Sequence, residues 1–197
     1  MKVLLINGSP HEKGCTYTAL SLIAGELKAQ GIETEILHVG GQPVGGCIGC
    51  GGCRSGNGAI EKAKTADAFV FGSPVHYASA AGNMASFMDR LAYAGGKYLA
   101  YKPAAICCSA RRAGTTSTLD QLVKYPQFFH MPLVNGSYWA MVHGSNPEQV
   151  LQDAEGCAVM QELGRNMAWL LRCIEAGKAA GIDHPQNPPR PMTSFIR

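Results

Sequence analysis

Short apolar runs that stop at turn residues alternate along this chain with stretches whose apolar residues recur at helical spacing. Lys2–Ile6 reads as a buried strand, and Leu20, Ile23, Ala24 and Leu27 mark a helix that Gly31 stops. Glu33–Val39 reads as a second strand, and Ala68–Phe71 as a third, broken by Gly72-Ser73-Pro74. Met84, Phe87, Met88 and Leu91 form one helix face closed by Gly95-Gly96. Ala104–Cys108 is a fourth strand and Thr116–Lys124 a helix. Pro132–Val134 and Ser137–Val142 supply a fifth strand interrupted at Asn135-Gly136. Met160, Leu163, Met167, Leu170, Leu171 and Ile174 mark a long last helix. Strands alternating with amphipathic helices mean βαβ units, a parallel sheet and right-handed crossovers. Such α/β sheets bind ligands beyond the carboxyl ends of their strands, which directs attention to the loops after the first, third and fourth strands. One domain over residues 1–184 is expected, followed by an extended, proline-rich tail over 185–197.

Composition narrows the classes further. With 46% hydrophobic and 16% charged residues, the chain is too apolar for disorder. No apolar run approaches the roughly 18 residues that a membrane helix needs. Met1-Lys2 leads to only four apolar residues before Asn7-Gly8-Ser9-Pro10 turns the chain, so a cytoplasmic location is expected. The net charge of +3 comes from scattered Lys and Arg with one tight pair, Arg111-Arg112, and does not describe a nucleic-acid surface. Eight cysteines without an export signal point to free thiols or metal ligands, not a disulfide framework.

Between the first strand and first helix, Asn7–Thr18 offers hydroxyls at Ser9, Thr16, Tyr17 and Thr18 beside free amides at the helix start. A helix N-terminus carries roughly half a positive charge, so the loop suits a phosphate dianion. It is neither common phosphate loop. Gly8 and Gly14 are too far apart for Walker A, Lys13 precedes Gly14, and no G-x-G-x-x-G follows the strand. A plain turn with one hydroxyl cap is the simpler alternative, but one cap needs one hydroxyl and this loop has several.

Gly8-Ser-Pro-His-Glu-Lys-Gly-Cys-Thr16 resembles the G-S-P-R-x-x-G-N/C-T/S loop of the flavodoxin-like NAD(P)H-dependent FMN reductases. Phe71-Gly-Ser-Pro-Val-His-Tyr77 resembles their second flavin loop, and Cys107-Cys-Ser-Ala-Arg-Arg-Ala-Gly-Thr115 their third. Cys47-x-x-Cys50-x-x-Cys53 is similar to the cysteine loop of the iron–sulfur flavoprotein branch, and the likeness extends to Gly164-Arg-Asn-Met-Ala-Trp169. The resemblance implies a flavodoxin-like three-layer sandwich whose five parallel strands run in the order 2-1-3-4-5. It implies FMN as cofactor, NADH or NADPH as co-substrate, and a small electron acceptor such as a quinone, a nitro or azo compound, free flavin or an iron centre. It also implies a homodimer or higher homo-oligomer, in which part of the Met84–Leu91 stripe is interface.

By the same resemblance Ser9, Cys15, Thr16 and Thr18, with Tyr17 beside them, would hold the FMN phosphate through side chains or amides. His11 stands where the family often has Arg. Ser73, Pro74, Val75, His76 and Tyr77 would border the isoalloxazine, and Ser109, Ala110, Arg111, Arg112 and Gly114 its pyrimidine edge. A flavin performs the redox chemistry itself, so no nucleophile–base constellation is required. Arg111 and Arg112 could instead meet a dinucleotide phosphate or form a solvated pair. His76 and Tyr77 could be ordinary loop aromatics. Trp139, Met141 and His143 could cover the acceptor, although a Trp at that place is more often core.

Cys47, Cys50 and Cys53 match three ligands of an iron–sulfur cluster, but Arg54–Ile60 contains no fourth cysteine. The stretch before Glu61 is short against relatives and leaves a very small second helix. Cys15 belongs to the phosphate loop, Cys107 and Cys108 to a strand, and Cys157 and Cys173 to the last helix. A thiol loop without metal is therefore the favoured expectation, with a partial cluster as its rival. Against the enzyme reading stand a one-electron carrier and a flavin or redox sensor. Carriers of that kind are strongly acidic to steer toward partners, and +3 does not fit them.

Overall fold

The computed structural model describes residues 1–55 and 58–195. Five parallel strands, β1 (Lys2–Asn7), β2 (Glu33–His38), β3 (Ala68–His76), β5 (Ala104–Ala110) and β6 (Met141–His143), form the sheet in the order β2-β1-β3-β5-β6. A two-residue strand, β4 (Ser79–Ala80), folds back antiparallel on the end of β3. With that short hairpin set aside, the order is the expected 2-1-3-4-5.

Strand alternation sorts the core into two layers, as the two-residue period of a strand requires. Val3, Leu5, Val70, Ala105 and Val142 meet α1 (Cys15–Ala29) and α6 (Ala154–Ala179) through Leu20, Ile23, Leu27, Met160, Leu163 and Met167. Leu4, Ile6, Phe69, Phe71 and Ile106 face α2 (Gly58–Thr65), α3 (Gly82–Gly95) and α4 (Thr115–Phe128) through Ile60, Met84, Met88, Leu91 and Leu122. A one-turn helix, α5 (Pro147–Val150), follows β6. Gly164 explains how closely α1 and α6 approach: a Cβ there would lie 2.8 Å from the Ile23 carbonyl oxygen.

Three local expectations change. First, β3 does not break at Gly72-Ser73-Pro74 but continues to His76. The Gly72 carbonyl accepts from Gly8 N at 2.9 Å, so even-numbered residues of β3 present their backbone to β1. Pro74 falls on that side beyond the last β1 pair, Asn7 with Gly72, so its missing N–H leaves no ladder bond unmade. Second, α4 passes Lys124 and ends at Phe128 with Pro126 inside its last turn, where a proline removes few helical bonds. Third, the fifth strand survives only at its two ends. Leu133 bridges Ala104, Met141–His143 pair with Cys108–Ala110, and residues 135–139 leave the sheet between them.

The small second helix is present, with eight residues. Gly56 and Asn57, within the shortened stretch, lie outside the described residues, as do Ile196 and Arg197 of the tail. Residues 181–195 are exposed, and 183–195 carry no regular secondary structure. They are held where Asn187 Nδ2 donates to the Tyr101 hydroxyl at 2.6 Å and His184 stacks on Tyr101 at 4.4 Å.

Glu35 on β2 ties two layers together. Its carboxylate takes Lys2 of β1 at 2.8 Å and Lys62 of α2. The two ammonium groups, hydrogen-bonded to it, hold its carboxyl below the ordinary 4.5. A carboxyl depressed in the folded state stabilises above its unfolded pKa and loses that contribution as pH falls through the folded value. Glu35→Gln should therefore lower Tm by about 1–3 °C at pH 7, with the difference closing in acid below 4.5. Thermal scans of both proteins across pH check this.

Candidate functional site

The first loop is organised from the end of β1. Asn7 is fully buried; its Oδ1 accepts from Ser9 N at 3.1 Å and its Nδ2 donates to the Glu12 carbonyl at 2.9 Å. One side chain thus closes the loop at both ends. Ser9 Oγ accepts from His11 N at 3.1 Å, and His38 Nε2 pairs with the Ser9 carbonyl at 2.8 Å. Gly40, just past β2, lies so close that a Cβ there would sit 2.1 Å from Ser9 O and 2.5 Å from Gly8 O. Asn83 holds that neighbouring turn through the carbonyls of Gly40 and Gln42, at 3.0 and 3.1 Å.

At the start of α1 the cap residue is Gly14, which has no side chain to bond the helix, and the first turn contains no acid. Thr18 N reaches Gly14 O at 3.0 Å, but Cys15, Thr16 and Tyr17 precede the first helical carbonyl and have no such acceptor one turn back. Three amides and the positive end of a helix therefore meet with no acidic residue in the helix's own first turn. Cys15 at this end is not a thiolate site. Its Sγ donates to the Gly144 carbonyl at 3.5 Å, and burial pushes its pKa up, outweighing what a helix start normally does to a thiol.

Three of the four hydroxyls counted in the sequence, those of Ser9, Thr16 and Thr18, serve the loop itself. Thr16 Oγ1 and Ser109 Oγ, both buried, lie 2.8 Å apart and join the first loop to the third. Thr18 Oγ1 donates to Gly14 O at 3.2 Å. Tyr17 is half-buried and His11 exposed. What this end of α1 presents to an anion is chiefly backbone.

The second loop is a hairpin. Val75 pairs with Ala80 and His76 with Ser79, leaving Tyr77 and Ala78 as a two-residue turn with φ of +51° and +59°. Two positive φ values suit a hairpin, yet neither residue is glycine, so the turn stores strain of order 1 kcal/mol or more. Tyr77 at the apex is fully exposed, and His76 is exposed beside it. Buried Ser73 fixes the base: its Oγ donates to Pro74 O at 2.9 Å and accepts from Ala81 N at 3.0 Å. Gln121 of α4 accepts from Ser79 Oγ at 2.7 Å and Ala80 N at 2.8 Å.

The third loop closes against the second. Gly114, at φ +94°, caps α4, and a Cβ on it would lie 2.9 Å from both Val75 Cγ1 and Ala78 Cα. Ser117 Oγ donates to Ala78 O at 2.8 Å. Ala110 is buried at the end of β5, whereas Arg111 and Arg112 are exposed. The three loops carrying the sixteen expected residues are thus joined into one rim by Thr16–Ser109 and by Gly114 and Ser117 with the hairpin.

One expectation does not hold. Trp139 is not core: it is 60% exposed, edge-on to Tyr138 at 4.8 Å, and lines a cavity of about 470 Å³ in the excursion before β6. A loop that leaves the sheet has no second layer to cover its aromatics. The cysteine loop packs beside α3. Among the described residues no group of three or more His, Cys, Asp or Glu side chains is placed to hold a metal ion. Cys53 Sγ accepts from Arg90 Nε at 3.2 Å, and Asp89, which lines one cavity with the cysteine loop, accepts the Tyr125 hydroxyl at 2.6 Å. Three thiols, one of them facing a guanidinium, do not fit the four-thiolate set of a cubane cluster.

Asn7, His38, Gly40, Asn83 and Gln121 were not legible as site residues. Asn7 alone left a signal, a polar residue closing an otherwise apolar strand.

The chain is similar to known flavoproteins. The chain is 26% identical over 192 residues to an iron-sulfur flavoprotein of Methanocaldococcus jannaschii, covering 89% of this chain and 100% of that protein. It is 36% identical over 98 residues to an iron-sulfur flavoprotein of Archaeoglobus fulgidus, an alignment spanning 46% of this chain and 48% of that protein. Among solved structures, RosB with bound 8-demethyl-8-formylriboflavin-5'-phosphate superposes with a TM-score of 0.71 at 15% identity, covering 100% of this chain and 94% of that one. An apo NADH:FMN oxidoreductase superposes at 0.63 with 18% identity, covering 87% of this chain and 89% of that one. These two likenesses are of fold. The family model described as NADPH-dependent FMN reductase matches residues 1–146, the segment that contains all three loops. A flavodoxin-like sheet with an uncapped α1 at its carboxyl edge is thus the scaffold of an oxidoreductase, and the chain belongs to the NADPH-dependent FMN reductase family.

Proposed function

We propose that the chain binds FMN across its three loops, accepts hydride from NADPH or NADH, and passes electrons to a small acceptor such as a quinone, a nitro or azo compound, a flavin or an iron centre. The observation that supports this best is the uncapped, acid-free start of α1, fixed from below by buried Asn7 and from the side by Thr16–Ser109. When bound, FMN supplies a ring that takes up hydride and releases electrons singly or in pairs. The chain supplies the rest. The amides of Cys15, Thr16 and Tyr17 receive the phosphate, with Ser9, His11 and Thr18 shaping the loop. Ser73–Tyr77 border the ring, and Ser109, Ala110, Arg111, Arg112 and Gly114 line its polar edge, where a guanidinium would favour an anionic reduced ring. The binding domain is assigned to residues 1–184, with 185–197 a surface tail, and the protein is assigned to the cytoplasm as a homodimer or higher homo-oligomer. Among the described residues no helix is long and apolar enough to cross a membrane.

The visible spectrum of purified protein, followed by steady-state NADPH and NADH oxidation with added quinone, tests this reading. A yellow protein that turns over is expected. A colourless one that ignores saturating FMN overturns it. Arg111→Ala and Arg112→Ala should weaken reduction or dinucleotide binding; unchanged kinetics and potential would return both to the solvated surface.

His11 offers a gain-of-affinity test. It is exposed on the loop, where the family often carries Arg. His11→Arg adds a charge-assisted contact to a dianion and should tighten FMN by about tenfold, read by fluorescence quenching on titration.

A further inference from the structure

The cysteine loop lies outside the flavin rim and carries chemistry that the flavin reading does not use. Gly45–Cys53 and the α3 residues Asp89, Arg90, Tyr93 and Ala94 line a cavity of about 680 Å³. Cys47 and Cys50 are exposed and Cys53 is half-buried. Arg90 Nε donates to Cys53 Sγ at 3.2 Å. Cys53, and at longer range Cys50 and Cys47, push the Arg90 guanidinium above its ordinary value. Gly51 takes a left-handed φ of +74°, and a Cβ on Gly52 would lie 3.5 Å from Cys50 Sγ. A C-x-x-C turn with a cation at its second sulfur is the arrangement of a dithiol.

We infer that Cys50-Gly51-Gly52-Cys53 is a thiol–disulfide exchange site for small-molecule disulfides of the glutathione type, with Cys53 the attacking sulfur and Arg90 its positioning residue. In the first step Cys53 gives its proton to solvent and its sulfur bonds to one sulfur of the disulfide R–S–S–R. The S–S bond breaks, and the departing RS⁻ takes a proton from solvent. In the second step Cys50 loses its proton to solvent and attacks Cys53 Sγ, forming the Cys50–Cys53 disulfide. The second RS⁻ leaves and is protonated. Two protein thiols are oxidised by two electrons, and one small disulfide is reduced to two thiols. Arg90 compensates the charge on the attacking sulfur and aims it.

The other thiols supply internal references. Burial raises the pKa of Cys107 and pushes that of Cys108 up to about 12, so neither competes, while Cys173 is exposed on α6. The full-length, FMN-reconstituted protein, purified anaerobically and freed of reductant, is exposed to oxidised glutathione. Alkylation and peptide mass spectrometry then follow each cysteine. Cys53 is expected to react about tenfold faster than Cys173 and to end in a disulfide with Cys50. Cys50→Ser should trap glutathione on Cys53, and Arg90→Gln should slow Cys53 by about tenfold while leaving Cys173 unchanged. The inference fails if Cys53 reacts no faster than Cys173, if glutathione settles first on Cys47 or Cys50, or if Arg90→Gln changes no rate. It also fails if these thiols are isolated with stoichiometric iron and sulfide. FMN occupancy, read separately from the spectrum, keeps this result distinct from the flavin assignment.

Discussion

Gly40→Ala is expected to yield a folded protein that has lost its flavin. The added methyl would stand 2.1 Å from Ser9 O, 2.4 Å from Ser9 C and 2.5 Å from Gly8 O. All three are backbone atoms, so no rotamer change can make room. One of two turns has to move. The residue 40 turn is held by Asn83, and Val39 N and Gly40 N both bond Asn7 O, at 2.9 and 3.3 Å. The Ser9 turn is held by Asn7 and His38. Displacement by about an ångström pulls the first loop away from the start of α1, where the proposed phosphate amides are. FMN affinity should fall by at least about a hundredfold, close to 3 kcal/mol, while the sheet and both core layers stay intact. Calorimetric titration with FMN, alongside far-UV circular dichroism, measures both. Retention of wild-type affinity would show that the phosphate sits elsewhere.

That prediction could not have been drawn from the sequence, and the reason is physical. Periodicity reports what a residue does to its own element, so β1, α1, α3 and α6 were legible. Turn-prone types report where loops occur, so the three loops of the rim were found. What the sequence does not encode locally is which loop leans on which. Gly40 and His38 lie about thirty residues from Ser9 in the chain and meet it only because β2 and β1 are neighbours in the sheet. Gln121 reaches the second loop across the α4 packing. The Pro74 misreading has the same origin: a proline stops a central strand only where a partner needs its N–H, and β1 has already ended there. The partnership of Thr16 and Ser109, residues 93 apart, was hidden for the same reason.

Asn7→Asp tests the keystone of the loop with almost no change of shape. One carboxylate oxygen can still accept from Ser9 N, but the other replaces a donor 2.9 Å from the Glu12 carbonyl. Two acceptors then face each other in a fully buried position. The mismatch, together with burial of the charge, should cost roughly 3 kcal/mol at pH 7. A negative charge beneath the phosphate seat would weaken FMN binding by at least about a hundredfold. Protonation reverses both effects, because a neutral carboxyl can donate to the Glu12 carbonyl as the amide did. Desolvation raises this carboxyl's pKa in the folded state, so the variant gains stability relative to wild type as pH falls through that raised value toward the unfolded one. Stability and FMN affinity of Asn7→Asp should therefore recover together in mild acid, whereas wild type shows no such recovery. Denaturant titrations and FMN binding from pH 8 to about 5 follow the two curves. A variant that binds FMN normally at pH 8, or stays defective in acid, would mean that the Asn7 donor does not hold the loop.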